Sequence, residues 1–262
     1  MQFVTSRDGT KIAFEREGTG PALIIVTGAL ASSHSAWVPQ LAGILAPHFT
    51  VFMYDRRGKG ESGDTQPYAV EREIEDLETL IDEAGGKAFV YGHSSGAALA
   101  LQAAVRPGSR FRRLALYEAP YNDDPPAIAR WKIYINQLTR LLADGKKGEA
   151  VALFMQYLGT PAVTVERMRK APFWPALEAA GNTLVYDHLA LLGDDGVVPK
   201  ALAAELKIPT LVMAGGAGFP FMRETARTLG RVIPGAQFRI LDGQTHEVSP
   251  RVLAPVLAEF FR

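Results

Sequence analysis

The side chain best placed to do chemistry in this chain is a serine in the stretch Gly92-His93-Ser94-Ser95-Gly96. The stretch follows the apolar run Ala88–Tyr91 and opens onto "SGAALALQAAV" at 95–105, which is apolar nearly all round. A serine squeezed into a strand-to-helix turn is forced outward in a strained conformation, and the residues beside it must be small because the turn brings strand and helix together. Gly92 and Gly96 meet that need. Glycine and serine at this spacing also describe an ordinary turn. The flanking strand and helix patterns favour a nucleophile, with the Ser94 hydroxyl at the positive end of the following helix.

A serine hydroxyl needs a base, and the base needs a group to orient it. The chain has five histidines, His34, His48, His93, His188 and His246. Only His246 lies in a loop after the last apolar run, "DGQTHEVSP", whose turn residues let it reach back over a sheet. His93 adjoins Ser94, but so sharp a turn points its ring away from the hydroxyl. His48 precedes a strand pattern and reads as structural; His188 sits in a helical stretch and reads as packing or surface. The acid is less plain. The loop after "TLVMAG" (210–215) reads "GAGFPFM" and holds no carboxylate before Glu224, itself expected on a helix. Asp242 stands only four residues before His246. Glu118 directly follows the run "RLALY" and is taken as the acid, with Asp123 and Asp124 as alternatives a few residues on. Two backbone N–H groups should face the developing oxyanion: that of Ser95, and that of Ala29 in "TGALASSHSAW", where Gly28 lets the chain turn.

These residues need a scaffold that gathers them. "QFVTS" and "KIAFERE" flank the turn "RDGT" as an opening hairpin. Largely apolar runs at 22–26, 49–54, 88–91, 113–117, 210–215 and 237–241 suit strands covered on both faces, as in a parallel sheet. Between them, Val70, Ile74, Leu77 and Ile81 share one helix face, with Gly85-Gly86 as the stop. Strand and helix alternate in the doubly wound α/β pattern. From about Pro125 to Leu206 the alternation breaks: Ile128, Trp131, Ile135, Leu138 and Leu142 keep helical spacing, and "GEAVALFMQYL", "TVERMRK" and "PALEAAGNTLVYDHLALL" read as further helices. The glycine-rich, basic stretch "DRRGKGESG" at 55–63 lacks phosphate-loop spacing and reads as a structural turn.

Composition narrows the functional classes. The 262 residues carry 28 Lys plus Arg against 28 Asp plus Glu, which gives no support for nucleic acid or an anionic membrane as partner. The absence of cysteine excludes disulfides, thiolate catalysis and cysteine metal sites. The polar, alternating N-terminus lacks a signal-peptide pattern, and no apolar stretch approaches membrane-span length. The expectation is a soluble, cytoplasmic protein.

With Thr27-Gly28-Ala29, Asp55-Arg56-Arg57-Gly58-Lys59-Gly60-Glu61-Ser62, Gly92-His93-Ser94-Ser95-Gly96 and Gly243-Gln244-Thr245-His246 in this order, the chain resembles the α/β-hydrolase superfamily over essentially its whole length. It departs from the pattern in two places: Thr27-Gly28 replaces a frequent His-Gly, and the usual late acid is missing. An acid after the sixth strand resembles an arrangement in some haloalkane dehalogenases, whose nucleophile is an aspartate; Ser94 argues against that chemistry and against the epoxide hydrolase mechanism. The resemblance implies a core of residues 1–124 and 207–262 and a helical cap of residues 125–206 inserted after the sixth strand. It further implies a serine hydrolase with Ser94, His246 and Glu118 as triad, Ala29 and Ser95 as oxyanion donors, and a small, largely apolar ester, thioester or lactone as substrate. No cofactor or metal is needed, and a monomer or homodimer is expected. Trp131, Tyr134, Phe154, Met155, Tyr157, Met168, Phe173 and Trp174 are candidates for roofing the pocket or for the insert's own core. The rival reading is a non-hydrolytic member of the fold: a cofactor-free oxygenase, a biosynthetic enzyme or a small-molecule receptor.

Overall fold

The computed structural model describes residues 1–262. Eight strands form one sheet: β1 (Gln2–Thr5), β2 (Lys11–Glu17), β3 (Ala22–Val26), β4 (Thr50–Tyr54), β5 (Ala88–His93), β6 (Phe111–Tyr117), β7 (Thr210–Gly215) and β8 (Gln237–Leu241). Their order is β1-β2-β4-β3-β5-β6-β7-β8. The opening hairpin is antiparallel, β2 pairs antiparallel with β4, and every later pairing is parallel. This is the mostly parallel, doubly wound α/β-hydrolase sheet.

The apolar runs have a simple cause. Along β3, Leu23 and Ile25 enter the core on one face of the sheet, while Ala22, Ile24 and Val26 enter the core on the other. A strand covered on both faces must be apolar at every position. Helices α1 (Trp37–Leu45) and α11 (Pro250–Phe261) cover the first face through Val38, Leu41, Leu253 and Leu257. Helices α2 (Val70–Glu83) and α3 (Ser95–Ala104) cover the second, the latter buried along almost its whole surface.

Between β6 and β7 the chain forms α4 (Pro125–Ala143), α5 (Lys147–Tyr157), α6 (Ala162–Met168), α7 (Trp174–Ala179), α8 (Thr183–Val185) and α9 (Lys200–Ala203), with no strand among them. The single helix expected over "PALEAAGNTLVYDHLALL" is instead broken. Its pieces are α7, a 3₁₀ turn at Ala180–Asn182, α8 and a π-helical turn at Tyr186–Ala190. Gly181 marks the first break, where the chain crosses so close to Lys147 that a Cβ would stand 3.0 Å from its carbonyl oxygen. The π turn carries Asp187, fully buried, down into a cluster of charged groups beneath the insert. Helix α10 (Pro220–Val232) joins β7 to β8.

Candidate active site

The site is assembled at the carboxyl ends of the parallel strands, where open α/β sheets place their ligands. Ser94 occupies the turn between β5 and α3 with φ 57° and ψ −128°. The small neighbours are required: a Cβ on Gly92 would lie 2.6 Å from Ala97 Cα, one on Gly96 2.2 Å from the Val26 carbonyl oxygen, and one on Gly28 2.8 Å from Ser94 Cβ. The Ser94 N–H donates to the Tyr117 carbonyl at 2.9 Å. Its hydroxyl does not cap α3, and is left free.

Glu118, at the end of β6, also has a positive φ of 48°. Its N–H donates to the Met213 carbonyl at 3.0 Å, and its buried carboxylate accepts from the Gly215 N–H at 2.8 Å through Oε1. Oε2 accepts from His246 Nδ1 at 2.7 Å. The proton of the neutral imidazole is thereby held on Nδ1, and Nε2 is left as a base. The two alternatives are occupied elsewhere. Asp123 accepts from the Val198 N–H and pairs with Lys200, and Asp124 caps α4 by accepting from the Ala127 N–H. Asp242 is exposed, and Glu224 on α10 pairs with Arg227. The carboxylate-free loop after β7 also has a physical reason. A Cβ on Gly218 would stand 3.2 Å from Glu118 Oε1, and one on Gly215 2.8 Å from Tyr117 Oη and 2.4 Å from the Gln244 carbonyl oxygen. Glycines leave the room that Glu118 and the His246 loop fill.

His93 does point away from the Ser94 hydroxyl, but it is not idle. Its Nε2 donates to the His246 carbonyl at 2.9 Å, while Tyr117 Oη donates to the Thr245 carbonyl at 2.5 Å. Two consecutive carbonyls of the histidine loop are thus tied to β5 and β6. His93 stacks between Trp37, Tyr117 and the His246 ring. Burial, with the neighbouring imidazole, pushes its pKa down to about 3, so it is a neutral anchor.

Of the expected oxyanion donors, the Ala29 N–H has no acceptor within the protein. Ser95, as the first residue of α3, has no intrahelical acceptor for its own. Leu30, next to Ala29, has φ 57°; Leu30, Ser94 and Glu118 are the chain's only non-glycine residues with positive φ. Backbone strain of this kind gathers at functional sites.

Ala29, Ser94 and His246 line two adjoining lobes. One, of about 430 Å³, is bounded by Ile128, Trp131, Tyr157, Leu192 and Met222; the other, of about 540 Å³, by Leu30, Trp37, Met155, Leu177 and Val248. Phe154 borders both. Of the aromatic and methionine residues singled out in the insert, Trp131, Phe154, Met155 and Tyr157 face these lobes. Trp174 is packed in the core, Met168 is half-buried and Phe173 is exposed. Tyr134 is buried behind the cavity wall, with its hydroxyl 2.8 Å from His188 Nδ1. His188 itself borders the lobe of about 430 Å³, and burial pushes its pKa down to about 4 against the pull of Asp187. No group of three or more His, Cys, Asp or Glu side chains converges as a metal site would.

Beneath the Ala29 loop lies a charged cluster that the turn-like pattern of residues 55–63 does not announce. Asp55 does organise that turn, accepting from the Ser33 and Glu61 N–H groups at 2.7 and 2.9 Å. Arg56 and Lys59, however, are buried. Arg56 donates twice to Glu73 on α2, and to Asp187 and the Thr27 carbonyl. The signal in the sequence is a single acid, Asp187, inside the largely apolar "TLVYDHLALL".

The alpha/beta hydrolase family model matches residues 23–256, and the chain belongs to that family. A solved alpha/beta hydrolase from Sphaerobacter thermophilus is 51% identical, with all of both chains covered and a TM-score of 0.87. An esterase from Thermogutta terrifontis shares the fold at 23% identity and a TM-score of 0.75, covering 100% of this chain and 98% of that one. A protein of Agrobacterium fabrum provisionally named carbamate hydrolase RutD is 24% identical over 236 residues, 89% of this chain and 88% of its own. No helix is long and apolar enough to cross a membrane.

Proposed function

We propose that this member of the family is a serine hydrolase that cleaves an ester, thioester or lactone of a small, largely apolar substrate through an acyl-enzyme. The observation that carries the reading is the Glu118–His246 pair, at 2.7 Å, delivered to the cavity that holds Ser94 and the unbonded Ala29 N–H. Ser94 Oγ attacks the carbonyl carbon as His246 Nε2 takes its proton. Glu118 stabilises the imidazolium, and the N–H groups of Ala29 and Ser95 receive the oxyanion. As the tetrahedral intermediate collapses, the imidazolium returns the proton to the leaving oxygen or sulfur. Water, deprotonated by the same imidazole, then repeats the attack on the acyl-serine and frees the acid.

The two lobes meeting at Ser94 suit this division, one for the acyl group and one for the leaving group. Their aromatic and aliphatic walls favour apolar groups on both sides. In this reading residues 125–206 are a cap roofing the site, and residues 1–124 and 207–262 are the core. Fluorophosphonate labelling combined with p-nitrophenyl ester turnover tests the proposal. Stoichiometric labelling, lost with activity in Ser94→Ala, is expected; a folded wild type that neither labels nor hydrolyses any acyl substrate sinks it.

A further inference from the structure

The charged cluster under the Ala29 loop does more than join the insert to the core. Lys59 is almost fully buried, and its Nζ donates to the Gly28 carbonyl at 3.1 Å and to Asp187 Oδ2 at 2.8 Å. Asp187 Oδ1 accepts from Arg56, and from Ser95 Oγ at 2.7 Å. Arg56 Nη1 also donates to the Thr27 carbonyl at 3.2 Å. One carboxylate of the inserted helices therefore bonds the first residue of α3 directly and, through Lys59 and Arg56, is tied to the loop after β3, the two places from which the oxyanion donors come.

The Gly28 carbonyl and the Ala29 N–H belong to one planar trans peptide, in which C=O and N–H point in opposite directions. A cation held on the carbonyl side fixes where the N–H points on the cavity side. It also polarises the peptide toward stronger donation, an effect large in a buried site of low effective dielectric. We infer that Lys59, braced by Asp187, is a positioning residue of the oxyanion hole: it aims and polarises the Ala29 N–H from behind, touching neither substrate nor the reacting atoms. The inference rests on the acyl-transfer reading above.

Burial and the neighbouring Arg56 charge push the Lys59 pKa below the ordinary lysine value, against the pull of Asp187 and Glu73. Arg56 and Lys59 face Glu73 and Asp187, two cations against two anions, and the Tyr68 hydroxyl satisfies Glu73 Oε1 at 2.8 Å. Burial alone would raise the Asp187 pKa, but the Arg56 and Lys59 charges hold its carboxyl well below the usual carboxylate range. Buried ion pairs frequently add no net stability. Here the cations also bond two successive carbonyls of the oxyanion loop, which stability alone does not require.

Lys59→Met tests this, with Lys59→Met/Asp187→Asn as a second variant that removes both charges and leaves no unpaired carboxylate. In either folded variant kcat on a p-nitrophenyl ester should fall about 10- to 100-fold, less than or comparable to the roughly 10²–10³ lost when an oxyanion donor is itself removed. KM should stay within about threefold, because the ground-state carbonyl makes little use of the hole. Affinity for a trifluoromethyl ketone, which forms a tetrahedral oxyanion on the serine, should fall by the same factor as kcat. A merely structural role would not produce that parallel. Wild-type kcat in the folded double variant, or a loss carried by KM alone, overturns the inference while leaving Ser94 chemistry intact. A wild type unreactive to fluorophosphonate overturns both.

Discussion

Replacing Glu118 by Gln exchanges one carboxylate oxygen for an amide nitrogen of nearly equal size, at a fully buried side chain. The surroundings dictate how the amide must sit. The Gly215 N–H can only donate, so the amide oxygen takes the place of Oε1, 2.8 Å from that nitrogen. The NH₂ group then faces His246 Nδ1, where Oε2 had been. An NH₂ cannot accept, so the imidazole must turn its Nδ1 lone pair toward it and carry its proton on Nε2, the nitrogen needed as base. The opposite amide rotamer opposes two N–H groups across the Gly215 contact and is worse. A wrong tautomer in a Ser-His-Asp triad lowers kcat by about 10⁴-fold, which at 1.36 kcal/mol per decade is about 5 kcal/mol of transition-state stabilisation.

KM should barely move, since Glu118 borders neither lobe of the cavity. Folding should survive, because both hydrogen-bonding positions remain filled. The assay is kcat and KM on a p-nitrophenyl ester beside a thermal melt, with Asp123→Asn and Asp124→Asn as controls expected close to wild-type turnover. A folded Glu118→Gln protein with kcat within tenfold of wild type, or a larger loss in either control, would refute the reasoning.

Gly96→Ala places a methyl 2.2 Å from the Val26 carbonyl oxygen and 2.5 Å from that of Thr27. Both are backbone atoms of β3 and its loop, so α3 must move off the sheet. Overpacking of this kind costs about 1–3 kcal/mol, and at about 2–4 °C per kcal/mol the melting temperature should drop by roughly 2–12 °C; an unchanged melt contradicts the packing argument. Stability should also decline with acid. In the unfolded chain His93 and His188 take up protons near the ordinary 6.5, whereas in the folded chain they do so only at about 3 and about 4. The unfolded state therefore binds more protons between those values, and unfolding free energy falls as pH drops from about 6.5 toward 4. Urea unfolding across that range should show the slope in wild type and a shallower one in His188→Phe; equal slopes would remove His188 from the account.

What was legible in the sequence was local. A strand covered on both faces is apolar throughout, so β3, β5 and β7 announce themselves. The turn at Ser94 declares itself because steric crowding dictates glycine on both sides. What was not legible depends on residues brought together across the fold. Glu118 meets His246 from 128 positions away, and Arg56 meets Asp187 from 131. Nothing in "EAPYNDD" distinguishes the carboxylate at the strand end from the two that follow; the distinction comes from Asp123 and Asp124 being engaged by Val198, Lys200 and α4. "DRRGKGESG" reads as a structural turn and nothing in it announces buried cations, because charged residues are usually solvated. Its Arg56 and Lys59 are buried only because Asp187 and Glu73 converge on them from other elements.

The three strained residues make one argument about how such a site persists. Each non-glycine residue in the left-handed region costs of order 1–3 kcal/mol and needs surroundings that over-determine it. Ser94 is held by the Tyr117 carbonyl of β6, Glu118 by the Met213 carbonyl of β7, and the loop carrying Leu30 by Lys59 and Arg56 on its Thr27 and Gly28 carbonyls. Each anchor belongs to an element other than the one it restrains. The first two are adjacent parallel strands about 4.8 Å apart, so a carboxylate at the end of β6 stands one strand spacing from the loop after β7. Glutamate's extra methylene relative to aspartate helps to span that gap, and Gly215 and Gly218 clear its path. The missing late carboxylate and the glycines standing in its place are therefore two halves of one arrangement. With no carboxylate on the loop after β7, the imidazole is oriented by Glu118 alone.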